Sequence, residues 1–300
     1  MPELPDLTIY VESLQKRIVG QRLEAVRLGN PFILRTFDPP VSSASGKTVT
    51  GISRIGKRIV LELEGDLFVV IHLMIAGRFH WKKPNAKVSG KIVHAGFDFS
   101  SGTLMLTEAS TKKRASIHLV RGRGLLKEFD RGGLEVAGTG LDVFRETLTR
   151  ENRTLKRALT DPTIFSAIGN AYSDEILHDA RLSPLKLTRQ LSQEEIERLH
   201  HSIGNVLTQW TERLRKEVGK GFPEKVTAFH KEMAVHGRFG LPCPVCGSKV
   251  QRIVYAENEC NYCPRCQTGG RLLSDRSLAR LLKGDWPKTI DELELAEGEK

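Results

Sequence analysis

The sequence predicts an α+β protein with a β-rich N-terminal part, a helical middle part and a four-cysteine zinc ribbon near the C-terminus. Short apolar or alternating segments separated by turn residues fill the stretch from Gly51 to Thr107. Apolar residues recur at helical spacing from about residue 143, and two Cys-x-x-Cys pairs follow with sixteen residues between them. Of 300 residues, 39% are hydrophobic, which indicates a globular chain of about two domains.

The charge balance favours a polyanionic partner. The chain has 46 Lys and Arg against 36 Asp and Glu, a formal net charge of +10. Such a balance points to nucleic acid before membrane, with a basic protein that has no such partner as the alternative. No apolar run is long enough to span a bilayer, and the N-terminus lacks a signal-peptide pattern. We therefore expect a cytoplasmic protein, in the bacterial cytosol or nucleoid, and a monomer is the simplest expectation.

The N-terminus is a candidate nucleophile. Removal of Met1 would leave a secondary amine on Pro2 beside the carboxylate of Glu3. An α-amino group titrates near ~7.7–8.0, so part of it is neutral at pH 7 and can form a Schiff base with an aldehyde-like carbon. The alternative is a proline that only fixes the start of the first helix. Asp6 is predicted to cap this helix, whose apolar stripe ends near Gly20 and contains Ile9, Val11, Leu14 and Ile18.

The β-rich part is expected to form an antiparallel sandwich or barrel, with residues 38–50 as a loop. A first strand is predicted at Arg22–Leu28, and the later strands at Ile59–Leu63, Leu67–Leu73, Ile92–Phe99 and Thr103–Thr107. Lys57 stands where one of these strands begins and is either solvated or functional. Residues 110–127 are strongly basic, which is typical of a solvated face or of a segment that grips phosphates.

The helical part is predicted to begin after the glycines at 132–133 and 138–140. Short helices are expected around Phe144–Leu148 and near Leu155, and Gly169-Asn170 should separate one helix from the next. The strongest helix begins at Ser192, which forms a capping box with Glu195. Its buried face consists of Ile196, Leu199, Ile203, Val206, Leu207, Trp210 and Leu214.

The cysteines form the most specific motif. Cys243, Cys246, Cys263 and Cys266 supply four thiolates at the spacing of a structural Zn²⁺ site, with a strand at Arg252–Tyr255 between the pairs. Cys260 and Cys263 form a further Cys-x-x-Cys, so Cys260 is either a replacement ligand or, as we favour, a spectator. Four thiolates leave no open position on the metal, so we expect the zinc to fold the ribbon and not to catalyse.

The last residues are expected to add little to the fold. A short helix is predicted at Leu278–Leu282, and the acidic tail from residue 285 is expected to be a solvated appendage. The predicted organisation is a catalytic β domain at 1–140, a helical domain at 141–236, a zinc finger at 237–270 and an extension at 271–300.

Taken in order, these motifs resemble the formamidopyrimidine-DNA glycosylase/endonuclease VIII (Fpg/Nei) family of base-excision repair enzymes. The resemblance covers residues 1 to about 267. It rests on Pro2-Glu3-Leu4-Pro5, on the stretch from Ile168 to Glu175 and on the cysteine ribbon. It implies an N-terminal β-sandwich flanked by helices, a helix–two-turn–helix module and a zinc finger, with damaged double-stranded DNA as the partner.

The resemblance also implies roles for individual residues. Pro2 would attack C1′ of a damaged nucleotide, and Glu3 would be the acid that helps to open the sugar. Lys57 would contact phosphate and assist proton transfer. Lys156 matches a basic DNA-contacting position, and Asn170 would bind the phosphates that flank the lesion.

Several predicted DNA-contacting residues depart from the family pattern. Asp6 stands where Glu is usual, and Ile75 takes the position of a Met that wedges into the base stack. Lys113-Arg114-Ala115 aligns with the usual Arg-Phe wedge, so Arg114 would enter the gap with no aromatic residue beside it. Asn258 replaces an arginine five residues before the third cysteine, and an amide cannot make that residue's bidentate phosphate contact. Residues 217–232 also lack the Gly-Gly-Thr-Thr loop used for 8-oxoguanine.

Three functions follow from these features. The leading hypothesis is a bifunctional DNA glycosylase/AP lyase that removes damaged, oxidised bases and cuts the strand by β-elimination. The second is a non-catalytic protein that binds damaged DNA and retains the fold. The third, a zinc-ribbon protein that binds RNA, leaves Pro2-Glu3 and Gly169-Asn170 unexplained. The sequence does not identify the lesion, and 8-oxoguanine is not expected as the main substrate.

Overall fold

The computed structural model describes residues 1–224, 229–255, 258–274 and 287–298. It confirms the α+β architecture, with seven α-helices and eleven strands in these residues. The helices are α1 Leu4–Ile18, α2 Leu141–Thr149, α3 Leu155–Thr160, α4 Asn170–Asp179, α5 Gln193–Val218, α6 Pro264–Thr268 and α7 Ile290–Gly298. Short 3-10 helices lie at Pro31–Ile33, Val41–Ala44, Arg123–Phe129 and Thr188–Gln190. The helix expected at Leu278–Leu282 lies outside the described residues.

The strands form three antiparallel sheets. They are β1 Arg22–Leu23, β2 Ala25–Leu28, β3 Lys47–Ile55, β4 Arg58–Leu63, β5 Leu67–His72, β6 Gly77–Lys82, β7 Val93–Phe99, β8 Gly102–Glu108, β9 Ser116–Arg121, β10 Gln251–Tyr255 and β11 Asn258–Tyr262. One sheet has the order β1-β3-β4-β5-β9 and another the order β2-β7-β8-β6, while β10 and β11 form a hairpin. The first two sheets build the predicted N-terminal β layer.

Strands β6 and β9 and the start of β3 were not predicted from the sequence. Strands β6 and β9 alternate buried apolar residues with charged or histidine side chains, such as Phe79 beside Arg78 and Ile117 beside His118. The basic residues around β9 concealed its period of two. Strand β3 begins inside the stretch 38–50 that we expected to be loop, and it pairs with β1 and β4.

The described chain divides into two compact units. The first consists of Met1–Arg131 with Gln209–Ala228, and the second of Gly132–Thr208 with Phe229–Lys300. Helix α5 therefore begins in the second unit and ends in the first. Its predicted capping box is confirmed, because the N–H of Ser192 donates to Glu195 at 2.9 Å and the N–H of Glu195 donates to Ser192 Oγ at 3.3 Å. Its predicted apolar face is buried.

The prediction of a solvated appendage is only partly right for the described residues of that segment, because Leu295 is exposed but the segment is docked at one residue. Ile290 at the start of α7 is fully buried, and its N–H donates to the carbonyl of Gly270. The N–H of Leu272 donates to Lys288, and Arg265 forms an ion pair with Asp291 at 2.5 Å. One apolar side chain and a short run of backbone hydrogen bonds therefore hold this acidic segment against the zinc finger.

Candidate functional site

The first site element is a buried N-terminus. Pro2 and Glu3 are both buried, and Glu3 is the N-cap of α1. The N–H of Glu3 donates to Asp6 Oδ2 at 2.8 Å. Asp6 is therefore not the cap that we predicted but the third residue of the helix, whose carboxylate completes a capping box. This arrangement fixes the direction in which the chain enters α1 and therefore the position of Pro2.

The carboxyl group of Asp6 is held in an environment that favours its protonated form. Burial raises the pKa of Asp6 to about 7, and the charge of Glu3 raises it as well. The N–H of Glu3, the terminal amine and Arg78 act in the opposite direction and lower this pKa. Its Oδ1 atom is buried and has no hydrogen-bond partner among the described residues. A carboxyl group that titrates near neutral pH can take up or release a proton during a reaction.

The terminal amine shares this environment. Burial lowers the pKa of the Met1 amino group; Glu3 raises it, and Arg78 and Lys57 lower it further. Lys57 lies in the turn between β3 and β4, half-buried, close enough to affect this terminus. An amine in this place is more readily neutral than one in water, and only the neutral form is nucleophilic.

Ile75 lies at the tip of a tight turn between β5 and β6. Its side chain is 56% exposed, whereas Leu73 before it is buried. Met74 has a positive φ of 53°, and a Cβ on Gly77 would lie 2.1 Å from the carbonyl oxygen of Leu73. Only glycine fits there, so Gly77 allows the turn that presents Ile75 to solvent.

Arg78 is a site residue that the sequence reasoning missed. Its guanidinium donates to the carbonyls of Ile75 at 3.2 Å and Gly77 at 2.6 Å, and its charge affects the pKa of the N-terminal amine and of Asp6. It therefore connects the Ile75 turn with the buried terminus. Its position in a strand beside the Ile75 turn was the available signal, but an exposed strand arginine has the same sequence pattern.

The basic loop that contains Lys113 and Arg114 is held by a buried carboxylate. Both oxygens of Glu108 accept from the backbone N–H groups of Arg114 and Ala115 at 3.0–3.3 Å. Lys113 Nζ donates to the Glu108 carbonyl at 2.6 Å. The side chain of Arg114 is exposed to solvent, while its backbone N–H is held by Glu108. The sequence reasoning did not single out Glu108.

In the second unit, Lys156 holds the first turn of α4. Its ammonium donates to the carbonyl of Asn170 at 2.7 Å, to Ser173 Oγ at 2.8 Å and to Asp174 Oδ1 at 2.5 Å. Lys156 is buried. Three acceptors use all three of its donors. The geometry gives Lys156 a role in fixing Asn170, and the DNA contact implied by the resemblance stays a prediction.

Asn170 begins α4 and faces the hairpin of the finger. Its Nδ2 donates to the carbonyl of Glu259 in β11 at 2.9 Å. Asn258, the residue before Glu259, is exposed and pairs with Tyr255 across the hairpin. The N-terminus of α4 and the tip of the finger therefore lie side by side in this unit. A helix N-terminus favours anions because its backbone N–H groups are unpaired and its dipole is positive there.

The four predicted zinc ligands come together. The sulfur atoms of Cys243, Cys246, Cys263 and Cys266 all lie within 4.8 Å of one another. Sγ of Cys246 and Sγ of Cys263 are 3.4 Å apart, and the Cys243–Cys266 pair is 3.9 Å apart. A tetrahedron with Zn–S bonds of ~2.3 Å has S–S edges of about 3.8 Å, so the set fits one structural Zn²⁺. Cys260 lies in β11 outside this group, as we favoured.

Comparisons with known proteins agree with this arrangement. Models for the formamidopyrimidine-DNA glycosylase N-terminal domain, its H2TH domain and the zinc finger found in FPG and IleRS match residues 1–114, 136–218 and 240–269. The formamidopyrimidine-DNA glycosylase of Heliobacterium modesticaldum is 31% identical over 281 residues, which cover 89% of this chain and 100% of the relative. The chain belongs to the Fpg/Nei family of DNA glycosylases.

One further relative and two solved structures are also similar to this chain. A formamidopyrimidine-DNA glycosylase-like protein of Mycobacterium tuberculosis is 43% identical over 151 residues, covering 50% of this chain and 94% of the relative. A crystal structure of Lactococcus lactis Fpg with a THF-DNA and an inhibitor matches with a TM-score of 0.79 and 29% identity, covering 89% of this chain and 100% of that one. In a second, the Lactococcus lactis Fpg is bound to an oxidised pyrimidine containing DNA, with a TM-score of 0.78 and 29% identity over the same shares.

No helix in the described part of the chain is long and apolar enough to cross a membrane.

Proposed function

We propose that this Fpg/Nei family enzyme removes a damaged base from double-stranded DNA through a covalent intermediate on Pro2 and then cuts the strand. The single observation that supports this most directly is the buried Pro2-Glu3 terminus beside Asp6. Burial lowers the pKa of the Met1 amine, which lies next to Pro2, and raises the pKa of Asp6 to about 7. This environment disfavours a charged amine at the terminus, and the carboxyl group of Asp6 can exchange a proton near neutral pH beside it.

The first chemical stage replaces the bond between the sugar and the base. The neutral amine of Pro2, freed by removal of Met1, attacks C1′; the base departs with the electrons of the glycosidic bond and takes up the proton that the amine loses. Glu3 donates a proton to O4′ as the sugar ring opens. The nitrogen lone pair then forms an iminium ion with C1′. Lys57, near the terminus, is the residue proposed to contact phosphate and assist proton transfer.

The second stage cuts the strand. The iminium withdraws electrons and so acidifies the C2′ proton. Loss of that proton expels the 3′ phosphate as the leaving group, which is β-elimination. Water then hydrolyses the iminium, releasing the unsaturated aldehyde end and the free Pro2 amine. Asn258 offers no guanidinium to promote a second elimination, so we expect the reaction to stop after the first.

DNA binding would draw on both units. In the first unit, Ile75 and Arg114 are exposed on fixed loops and are proposed to occupy the space left by the extruded base, at a cost of a few kcal/mol for unstacking. In the second, Asn170 and the N-terminus of α4 are proposed to bind phosphate, with Asn258 close by. Residues 225–228, within the stretch that lacks a Gly-Gly-Thr-Thr loop, lie outside the described residues. Oxidised pyrimidines, formamidopyrimidines and abasic sites are the substrates to test first.

Borohydride trapping on abasic-site DNA tests the nucleophile. The wild-type protein should give a covalent adduct, and Pro2→Gly should lose most of it because a primary amine without the ring has a different reactivity and placement. Glu3→Gln should reduce ring opening while DNA binding is retained. Peptide mapping of the adduct should locate it at residue 2. An adduct that maps to a residue other than residue 2 would show that another amine is the nucleophile.

A non-catalytic damage-binding protein is the second candidate, and Asn258 with the aromatic-free loop at Lys113-Arg114 is the observation that favours it. Intact mass separates the two functions before any assay. A mature protein that retains Met1 has no free Pro2 amine and supports the second candidate. Removal of Met1 together with tight abasic-DNA binding but no trapped adduct would also support it.

A further inference from the structure

A buried histidine outside the proposed chemistry contacts a zinc ligand. His178 lies on α4 and Cys243 in the first half of the cysteine ribbon, and both are buried. His178 Nε2 lies 3.3 Å from Cys243 Sγ. This contact joins two residues that are 65 positions apart in the sequence. No step in the proposed base removal uses His178.

The chemistry of the four-thiolate site determines which atom is the donor. A cysteine that binds Zn²⁺ does so as a thiolate and carries no proton. In the zinc-bound protein the hydrogen atom between Nε2 and Sγ must therefore belong to the imidazole, so His178 donates an N–H to a negatively charged sulfur. Charge-assisted hydrogen bonds of this kind are stronger than neutral ones.

His178 differs from the other donors around the metal site. The N–H of Cys266 donates to Cys263 Sγ at 3.5 Å, and a backbone hydrogen bond from Ser248 reaches Cys246. Both of those donors lie within or next to the cysteine pair that they serve. His178 comes from a separate helix, so its hydrogen bond connects the metal site to α4.

The face of α4 that bears His178 is docked on the finger along two turns. Asn170, Asp174 and His178 are spaced four residues apart and therefore share one face. Asn170 donates to the carbonyl of Glu259, and Asp174 accepts from His236 Nδ1 at 2.7 Å and from the N–H of Asn261 at 3.1 Å. His178 is the last of these three residues on the helix face and lies next to the cysteine cluster.

We propose that His178 is a positioning residue that donates its Nε2–H to the zinc-bound thiolate of Cys243 and so couples metal binding to the placement of α4. The hydrogen bond lowers the electron density on this sulfur and orients it toward the metal. Zinc in the ribbon then stabilises the helix whose first residue is Asn170. This role does not depend on whether Pro2 catalyses a reaction.

Spectroscopy of the cobalt-substituted full-length protein tests the hydrogen bond without relying on activity. His178→Phe keeps a planar ring of similar volume and removes the donor, and His178→Gln restores an N–H donor. The thiolate-to-cobalt charge-transfer band should shift in His178→Phe and return toward the wild-type position in His178→Gln. Zinc affinity, measured by competition with a chromophoric chelator, should fall about 10- to 100-fold in His178→Phe.

The matched control is His201→Phe, because His201 is an exposed histidine on α5. It should leave both the cobalt spectrum and the zinc affinity unchanged. A His178→Phe protein with the wild-type spectrum and affinity would overturn the proposal. If that variant does not fold, the wild-type protein substituted with ¹¹³Cd decides: a scalar coupling between the metal and the imidazole N–H of His178 is expected across the hydrogen bond, and its absence contradicts the proposal.

Discussion

At the scale of single residues, Asp6 shows how burial changes the role of an ordinary side chain. In water an aspartate is ionised at neutral pH, but burial raises its pKa here to about 7. Its Oδ2 atom accepts from the N–H of Glu3, while Oδ1 lies buried with no protein partner in the described chain. The residue thus fixes the terminus with one oxygen, and its raised pKa allows the carboxyl group to gain or lose a proton near neutral pH.

Asp6→Asn should change how stability depends on pH. Because the folded pKa of Asp6 is above the unfolded value of about 3.9, the folded state binds more protons between pH 4 and 7. The contribution of Asp6 to stability is therefore complete below pH 4 and is lost as the pH rises through about 7, by at most ~1.4 kcal/mol per pH unit. Denaturant unfolding at pH 5, 6, 7 and 8 should show a shallower fall for Asp6→Asn.

The exposed carboxylate of Asp142 provides the control, since Asp142→Asn removes a surface charge without touching the terminus. Its pH profile should parallel that of the wild-type protein. Parallel profiles for Asp6→Asn and the wild type would show that Asp6 is already ionised in the folded state at pH 5.

Gly77→Ala should damage the turn that presents Ile75. The added Cβ would lie 2.1 Å from the Leu73 carbonyl oxygen, which is backbone and cannot move aside. We expect a loss of roughly 2–3 kcal/mol in the free energy of unfolding, typical of overpacking. Gly204→Ala, in the exposed part of α5 with no atom within 4 Å, should instead stabilise by up to ~1 kcal/mol. Equal effects of the two substitutions would refute this account of the turn.

At the scale of elements, the acidic segment after the ribbon behaves as part of the finger. The described residues of α7 and the preceding turn pair with residues 270–272 and with Arg265 in the second cysteine pair. The Heliobacterium modesticaldum relative covers 89% of this chain, and the zinc-finger family model ends at residue 269. The segment thus extends the structural unit beyond the residues that the zinc-finger family model matches.

Ile290→Asp tests whether this segment supports the zinc site. Ile290 is 0% exposed, and an aspartate there would be buried without a partner or would release the segment. We expect faster zinc transfer to a chelator and earlier proteolysis within residues 271–300. Leu295→Asp, at a side chain that is 70% exposed, should match the wild type in both measurements. Unchanged zinc transfer in Ile290→Asp would mean that the segment binds to the finger without stabilising it.

At the scale of the whole molecule, the net charge of +10 is the property most directly connected to DNA. Contacts with phosphate release counterions, so affinity should fall linearly with salt on a log–log plot. The exposed Arg114 is one of the cations expected to contribute, because its backbone is held by Glu108 while its side chain points to solvent.

Arg114→Ala should reduce the slope of this salt dependence by about 1 and weaken binding to abasic-site duplex at low salt. Fluorescence anisotropy from 50 to 200 mM salt measures both quantities. Arg145→Ala is the control, since the guanidinium of Arg145 already pairs with Asp142 at 2.8 Å. A slope for Arg114→Ala equal to that of the wild type would remove Arg114 from the DNA interface.

Some elements of the molecule were predictable from sequence patterns and others were not. The face of α5, the capping box at Ser192 and the four-cysteine cluster were predictable because each depends on residues close in sequence or on a spacing with one chemical meaning. Strands β6 and β9 were missed because basic and histidine residues concealed their alternation. The docked tail was missed because its acidic composition is that of a solvated segment, whereas one buried residue, Ile290, decides where it lies.

The sequence by itself determined the fold class, the family and the types of residue available for chemistry, since periodicity, cysteine spacing and a Pro-Glu terminus are local patterns. Only the tertiary structure decided the environments of those residues. Burial raises the pKa of Asp6. The fold also brings the charge of Arg78 close enough to affect the terminus, and it directs the Lys156 ammonium toward Asp174 in α4. The fold also brings His178 Nε2 to 3.3 Å from Cys243 Sγ. These properties depend on desolvation and on contacts between segments that are distant in sequence, and local sequence patterns predict neither of them.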